Sequence, residues 1–185
     1  TVRVEVAQTK SGRAQQVYGI VDGEAVWRRY VPGRIDGEGP LVLLLWDAVA
    51  GTDPMPLAID GLGDFEGRAN VFERPAQTGG LAASSKPERD LWYGFNGPAM
   101  LDNFGYETSD PRVVEPDKMT VRLGEDMSRS RQTENPYATL KGRDPLPPER
   151  HFGYAITWWG MAIGLIGVYL AFHRSQGRLS FRRSK

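Results

Sequence analysis

The sequence predicts a mainly β domain, an antiparallel sheet or barrel-like fold with one short helix, followed by one C-terminal transmembrane helix. Three observations predict it. Apolar and polar residues alternate in several short runs, 22 Gly and 13 Pro indicate many turns, and the nineteen residues Tyr154–Phe172 carry no charge. We therefore expect a β-rich domain at 1–123, an extended connector at 124–150, a transmembrane helix at 151–173 and a basic tail at 174–185.

The first half of the domain is expected to form antiparallel strands. In residues 1–7, TVRVEVA, valines alternate with polar residues, as in a half-buried strand. Residues 16–31 flank Asp22-Gly23, a pair that supplies the positive φ angles of a tight hairpin turn. Pro32-Gly33 is expected to end this hairpin. The apolar run Leu41–Trp46 predicts a strand covered on both faces at the centre of the sheet.

The second half is expected to hold shorter elements. Short strands are predicted in LAID (57–60) and EGRANVFERP (66–75), and a long surface loop from Ala76 to Asp90. NGPAMLDNFG (96–105) predicts a short helix with proline in its first turn. KMTVRL, Lys118–Leu123, predicts the last strand, and the charged, proline-bearing segment after it suits a connector.

The uncharged run is long enough to cross a bilayer. Nineteen helical residues at 1.5 Å per residue cover about 28 Å, close to the thickness of the hydrocarbon core. Tyr154, Trp158 and Trp159 lie at one end and Tyr169 and Phe172 at the other, where amphipathic rings occupy the headgroup level. A buried core helix is the alternative, but such helices rarely lack charge over this length. The run therefore predicts one membrane crossing.

Formal neutrality hides a charge asymmetry. All 23 acids precede residue 154 together with 18 of the 23 Lys and Arg, so the domain is net −5 and the tail +5. A basic tail orients towards the cytoplasm or the mitochondrial matrix, which places the domain on the opposite side. The acidic domain disfavours nucleic acid as a partner, and the tail is expected to meet the lipid bilayer.

Sequence motifs give no support for catalysis. The absence of cysteine excludes disulfides and thiolate metal sites, and no nucleophile elbow, phosphate loop or His-Glu-x-x-His motif occurs. GLGDFEG (61–67) has the wrong spacing for a dinucleotide loop and predicts a turn. Asp47, Asp53, Asp60 and Asp64 are expected to be solvated turn residues. We expect no catalytic residue, no metal site and no enzymatic activity.

Two histidines flank the predicted helix. His151 precedes it and His173 follows it, and either imidazole could ligate haem iron or be a polar residue of the membrane interface. On one straight helix they lie about 33 Å apart, so they cannot hold the same iron.

The start of the helix resembles a known family. HFGYAITWWGMA (151–162) is similar to the second transmembrane segment of the Surfeit-locus cytochrome oxidase assembly family, typically His-Leu-x-Tyr-x-x-Thr-Trp-aromatic-Gly-Leu. The matching residues are His151, Tyr154, Thr157, Trp158 and Gly160.

Segments of the domain also resemble that family. EGRANVFERP and KPERDLWYGFNGPAM look like its Gly-x-x-Arg segment and its Asn-x-Pro-x-x-x-x-Trp segment, with Pro87, Trp92, Ala99 and Met100 in place. WDAVAG (46–51) replaces the family's Asn-Arg-Gly-aromatic-Val-Pro signature. The resemblance implies a divergent member without the family's N-terminal transmembrane helix, which would precede Thr1 or come from another chain.

The resemblance implies a function and a location. It implies a non-catalytic factor in cytochrome c oxidase biogenesis acting near haem a insertion, with the oxidase subunits as partners. It also implies the mitochondrial inner membrane with the domain in the intermembrane space, or a bacterial plasma membrane with a periplasmic domain. His151 would be a ligand of haem a, with Trp158 and Trp159 against the macrocycle. The alternative is a stably bound accessory subunit of respiratory complex IV derived from that family.

Overall fold

A computed structural model describes residues 1–76, 85–107, 112–124, 127–139 and 148–178, with side chains from residue 153 onward in the last range. The chain divides into two compact units, Thr1–Gly142 and Arg143–Lys185, and each is described by itself. The described part of the first unit is mostly strand, and the second unit holds one long helix.

Strands dominate the first unit, which confirms the mainly β class. The helices are α1 (Gly97–Phe104) and α2 (Pro148–Ser175), and a short 3-10 helix covers Pro87–Arg89. The strands are β1 (Val2–Val6), β2 (Gln15–Val21), β3 (Glu24–Ile35), β4 (Leu41–Ala50), β5 (Phe65–Gly67), β6 (Ala69–Glu73), β7 (Leu91–Trp92), β8 (Arg112–Pro116), β9 (Lys118–Leu123) and β10 (Arg129–Glu134).

The hairpin of β2 and β3 turns at Asp22-Gly23, as predicted. Both residues have positive φ, 53° and 82°, which gives the turn the twist that a two-residue hairpin needs. The predicted end at Pro32-Gly33 is wrong, because β3 continues to Ile35 and this half of the strand pairs with β1 and β4. Gly33 permits the close pairing, since a Cβ there would lie 2.8 Å from the carbonyl oxygen of Glu5.

The two longest strands, β3 and β4, form the centre of the sheet. The predicted central strand Leu41–Trp46 is confirmed and extends to Ala50. β4 pairs with β3 on one side and with β8 and then β9 on the other. A bulge between Arg29 and Tyr30 shifts the register of β3 against β4 and bends the pair.

One set of strands closes into a ring of pairings. The N-terminal half of β4 and the C-terminal half of β3 pair in the order β1-β3-β4-β8. Arg68 alone separates β5, which pairs with β1, from β6, which pairs with β8. The continuous segment Phe65–Glu73 therefore joins the two ends of the row, and the barrel-like arrangement leaves few free edges.

A second row, β7-β2-β3-β4-β9-β10, uses the other halves of the central strands. The pairings of the whole sheet add one feature to the confirmed fold class and correct one domain boundary. The sheet is mixed, because β4 pairs in parallel with β8 and β9, and β2 with β7. The domain also does not end at residue 123, because Arg129–Glu134 of the predicted connector pairs along its whole length with β9.

The core fills the interior of the bent sheet and is closed by α1. Asn96 caps this helix by accepting a hydrogen bond from the backbone of Ala99, and Gly105 ends it at a φ of 92°. Its buried side chains are Met100, Leu101 and Phe104. The predicted short helix is therefore confirmed, and it buries its apolar face against the strands.

Other predicted segments differ in detail. LAID contributes a single bridge between Ala58 and Arg13 instead of a strand. EGRANVFERP forms the end of β5 and all of β6, as expected. Residues 77–84 of the predicted loop, 140–147 of the predicted connector and 179–185 of the predicted tail lie outside the described residues.

The second unit contains the predicted spanning helix. Among the described residues, Gly153–Ser175 of α2 forms one segment long and apolar enough to cross a membrane, and none of its most apolar stretch is buried within the chain. An unburied apolar helix of this length requires a lipid or protein environment. Within the described residues, this helix fits one membrane crossing.

Candidate functional site on the membrane helix

The aromatic residues of the helix share one face. At 3.6 residues per turn, the positions of His151, Tyr154, Trp158 and Tyr169 lie on the same side of α2, and Trp159 flanks them. Trp158 and Trp159 are 69% and 70% exposed. These surfaces are available for lipid or for another molecule.

The opposite face is formed by small residues. Added Cβ atoms at Gly153, Gly160 and Gly164 would meet nothing within 4 Å. Thr157 lies on this face, and its hydroxyl donates to the carbonyl oxygen of Gly153 at 3.0 Å. This back-bond satisfies the hydroxyl without water, as a residue in the hydrocarbon layer requires.

The structure describes the side chain of His173, whereas for His151 it describes the backbone. His151 lies in the first turn of α2, and its side chain is outside the described side chains, so haem ligation by this residue stays a prediction. The ring of His173 packs 4.2 Å from that of Tyr169 and 5.7 Å from that of Phe172, measured between centroids. His173 therefore has aromatic neighbours on its own helix.

A buried polar network lies inside the domain and was not predicted from the sequence. Glu115 of β8 is fully buried and accepts hydrogen bonds from the Tyr30 hydroxyl at 2.7 Å and from Asn135 at 3.0 Å. Arg74 forms an ion pair with it at 3.0 Å and donates to the carbonyl oxygen of Tyr137. Three other segments of the chain thus converge on one carboxylate.

A second arginine completes this network. Arg28 is 3% exposed, donates to the Tyr30 hydroxyl at 2.9 Å and stacks on the ring of Tyr137 at 3.6 Å. Loss of water on burial raises the pKa of Tyr30 above its ordinary value, with the nearby Glu115 carboxylate as a further cause. Tyr30 therefore stays protonated and can donate to Glu115 while it accepts from Arg28.

Asp47 is not the solvated turn residue that we expected. It lies in β4, 2% exposed, and Arg29 of β3 holds it through two hydrogen bonds of 2.6 Å. Arg122 of β9 approaches the same carboxylate at 3.3 Å. The expectation failed because WDAVAG continues the strand, and Arg29 and Asp47 face each other across the two strands.

The domain segment that carries the weaker resemblance forms another satisfied network. Gln15 of β2 donates to Asp90 at 2.9 Å and accepts from the indole N–H of Trp92 at 2.6 Å. Asn103 of α1 donates to Gln15 and to the carbonyl oxygen of Pro87 at 3.0 Å. These bonds attach β7 and α1 to β2, which is a structural role.

One sequence signal could have revealed the buried charges. Arg28 and Arg29 are adjacent in a strand, and adjacent side chains of a strand point to opposite faces. In a sheet that bends around a core, one of the two must then face the interior. No group of three His, Asp or Glu side chains within the described residues is arranged to hold a metal ion.

Fold and helix together define a membrane-anchored β domain whose buried carboxylates are paired internally. The exposed aromatic face lies on the spanning helix. Residues 13–163, more than half of the chain, match the model of the SURF1 family. No curated protein and no solved structure gives a significant match. The chain belongs to the SURF1 family, which is known for cytochrome c oxidase assembly, and the resemblance seen in the sequence is confirmed.

Proposed function

We propose that this protein is a non-catalytic biogenesis factor of cytochrome c oxidase that acts near haem a insertion. The family match carries the proposal. The matched residues include Tyr154, Thr157, Trp158 and Gly160, and the aromatic ones leave their rings exposed on α2. Deleting the protein should lower assembled oxidase and its haem a content while leaving the other respiratory complexes unchanged. Normal oxidase in the deletion strain would contradict the proposal.

His151 is the proposed ligand of haem a, with Trp158 and Trp159 as the flat apolar surface beside the macrocycle. An imidazole at the edge of the bilayer can ligate iron, and the two indoles lie about two turns along the helix. The protein would be purified from cells that make haem a and its visible spectrum compared with that of His151→Ala. His173→Ala is the matched control at the other end of α2. An unchanged spectrum in His151→Ala would remove this residue from the site.

A permanent accessory subunit of complex IV is the second candidate function. WDAVAG replaces the family's signature, and Asp47 of that segment is paired with Arg29 inside the domain. The replaced segment thus serves the structure of the domain, which favours a structural subunit. Stoichiometry separates the two functions. A subunit should approach one copy per purified oxidase, whereas an assembly factor should be far below that ratio.

We further propose that the domain lies in the intermembrane space or the periplasm and the tail on the matrix or cytoplasmic side. The distribution of charge supports this orientation. Before the helix, 23 acids outnumber 18 Lys and Arg, whereas five basic residues and no acid follow it. The chain has no cysteine, so single variants can be labelled without background. Asp53→Cys should react with an impermeant maleimide in intact mitoplasts or spheroplasts, and Ser184→Cys should react after lysis alone. The reverse pattern would invert the topology.

A further inference from the structure

Side chains close the second row of strands between β10 and the β2–β3 hairpin. Within the described residues, β10 has a backbone ladder with β9 alone. Its contacts with the hairpin are a hydrogen bond from the Thr133 hydroxyl to Asp22 at 2.8 Å and an ion pair of Arg131 with Glu24 at 2.9 Å. Exposed pairs of this kind contribute little stability. The wall of the domain can therefore open locally here without the loss of a strand ladder.

Tyr137 follows β10 and covers the open edge of β2 with its hydroxyl. The hydroxyl accepts from the backbone N–H of Ile20 at 3.1 Å and donates to the carbonyl oxygen of the same residue at 3.2 Å. A paired strand would make the same two bonds. Gly19 provides the space, since an added Cβ would lie 2.7 Å from the hydroxyl oxygen and 3.0 Å from Nε of Arg28. One side chain thus takes the place of a strand at this edge.

Arg28 lies directly beneath the ring of Tyr137, 3.6 Å from its centroid. Its Nη1 donates to the Tyr30 hydroxyl, but its Nε–H is buried without an acceptor among the described residues. A buried donor without an acceptor is costly, most of all on a charged group. A guanidinium presents its N–H groups as a planar fork that matches a carboxylate. The vacant Nε–H therefore favours a carboxylate as its partner.

The side chain of Tyr137 can move while its backbone stays in place. Its N–H donates to the side-chain oxygen of Asn135 at 3.0 Å, and Arg74 donates to its carbonyl oxygen. Asn135 is itself fixed by its backbone bond to Asp117 at 2.9 Å. Tyr137 is half-buried, so part of the ring already meets solvent. Rotation of this one side chain would uncover Arg28 and leave the backbone bonds intact.

We propose that the Tyr137 side chain is a gate over Arg28, and that the open gate admits a small carboxylate that pairs with the Nε–H of Arg28. The charges agree, because Arg28 and Arg74 bring two positive charges to the described network and Glu115 brings one negative charge. The ligand is small because the gate is one side chain wide. This inference is independent of the proposed function, since it requires neither haem nor the membrane helix.

Arg28 and Arg29 form a matched pair for the test, because they are adjacent in β3 and only 3% and 2% exposed. Two charge-assisted bonds to Asp47 fix Arg29 in the closed domain. The full chain in nanodiscs would be treated with phenylglyoxal, which modifies guanidinium groups, and tandem mass spectrometry would separate the two sites. Arg28 should react at least about tenfold faster than Arg29, because a local gate opens without unfolding of the domain.

Tyr137→Phe keeps the ring and removes both bonds to the edge of β2. It should raise the rate at Arg28 by about tenfold, as the loss of two neutral hydrogen bonds implies. Tyr106→Phe is the matched control, since Tyr106 is also half-buried and its hydroxyl donates to the carbonyl oxygen of Gln8. It should leave Arg28 unchanged. Equal rates at Arg28 and Arg29, or equal effects of the two variants, would overturn the gate.

Acetate is the probe for the proposed site. In Tyr137→Phe, acetate at its dissociation constant should lower the rate at Arg28 by about half relative to chloride of equal ionic strength, because the bound carboxylate protects the guanidinium. The rate at Arg29 should stay the same. Equal effects of acetate and chloride would overturn the carboxylate site. Protection by acetyl-Asp-amide without protection by acetate would overturn the small ligand and assign the site to an acidic side chain of a polypeptide.

Discussion

The interior of the domain and the spanning helix satisfy their polar groups in different ways. In the domain, Glu115 is fully buried and receives donors from three other segments of the chain. In the helix, Thr157 bonds the backbone four residues earlier, and the ring of Trp158 is exposed. Stability of the domain therefore depends on contacts distant in sequence, whereas the helix carries local bonds and leaves its side chains for molecules outside the chain.

Glu115→Gln tests the domain side of this comparison and should cause the largest loss of domain stability. The carboxylate is the charged partner of Arg74, whose side chain is 11% exposed, and it accepts from Tyr30, which Arg28 also contacts. Its loss therefore leaves uncompensated positive charge beside the core. We expect a loss of about 3–5 kcal/mol in the free energy of unfolding, a large fraction of the stability of an ordinary domain. Urea unfolding of the full chain in nanodiscs, followed by far-ultraviolet circular dichroism, measures it. Glu73→Gln, an exposed acid on the paired strand β6, is the control and should change little.

Asp47→Asn tests the other buried carboxylate. Arg29 would lose its charged partner, although one oxygen remains to accept a hydrogen bond, and the half-exposed Arg122 can turn to solvent. The expected loss is about 2–3 kcal/mol in the same unfolding measurement. Asp53→Asn makes the same chemical change in an exposed loop and should be neutral. Equal midpoints for the two variants would mean that the pairing of Asp47 adds nothing to stability.

Tyr30→Phe removes one hydroxyl from the network and should cost about 1–3 kcal/mol at neutral pH. Because the folded-state pKa of Tyr30 is raised above its ordinary value of about 10, its contribution is fully present below that pH and is lost as the pH rises above it. The wild type should therefore lose stability more steeply than the variant above about pH 10. Parallel stability curves for the two proteins between neutral and alkaline pH would argue against the raised pKa.

Local features of the fold could be predicted from the sequence. The Asp22-Gly23 turn, the central strand, α1 and α2 each follow from residues adjacent in the chain, because turn geometry, apolar runs and helix length are local properties. Closure of the ring at Arg68 and the parallel ladders of β4 could not be predicted, since they depend on pairings between distant segments.

Polar composition concealed the last strand and the buried charges. β10, RSRQTE, has the polar side chains of an edge strand and is held by backbone pairing with β9, so no apolar alternation marks it. The burial of Glu115 depends on Tyr30, 85 residues away. Of the candidate site, the helix positions followed from spacing, whereas the pairing of Asp47 with Arg29 depends on the register of two strands.

Trp158→Leu tests the helix side of the comparison and is expected to have the smallest effect on domain stability. Leucine keeps the apolar length of α2, and Trp158 is 69% exposed, so the unfolding midpoint of the domain in nanodiscs should stay within experimental error of the wild type. If the ring has a function, its loss should appear as weaker association with oxidase subunits or as a changed haem spectrum. A lowered domain midpoint would show that the ring stabilises the domain, and the contrast between the two regions would then fail.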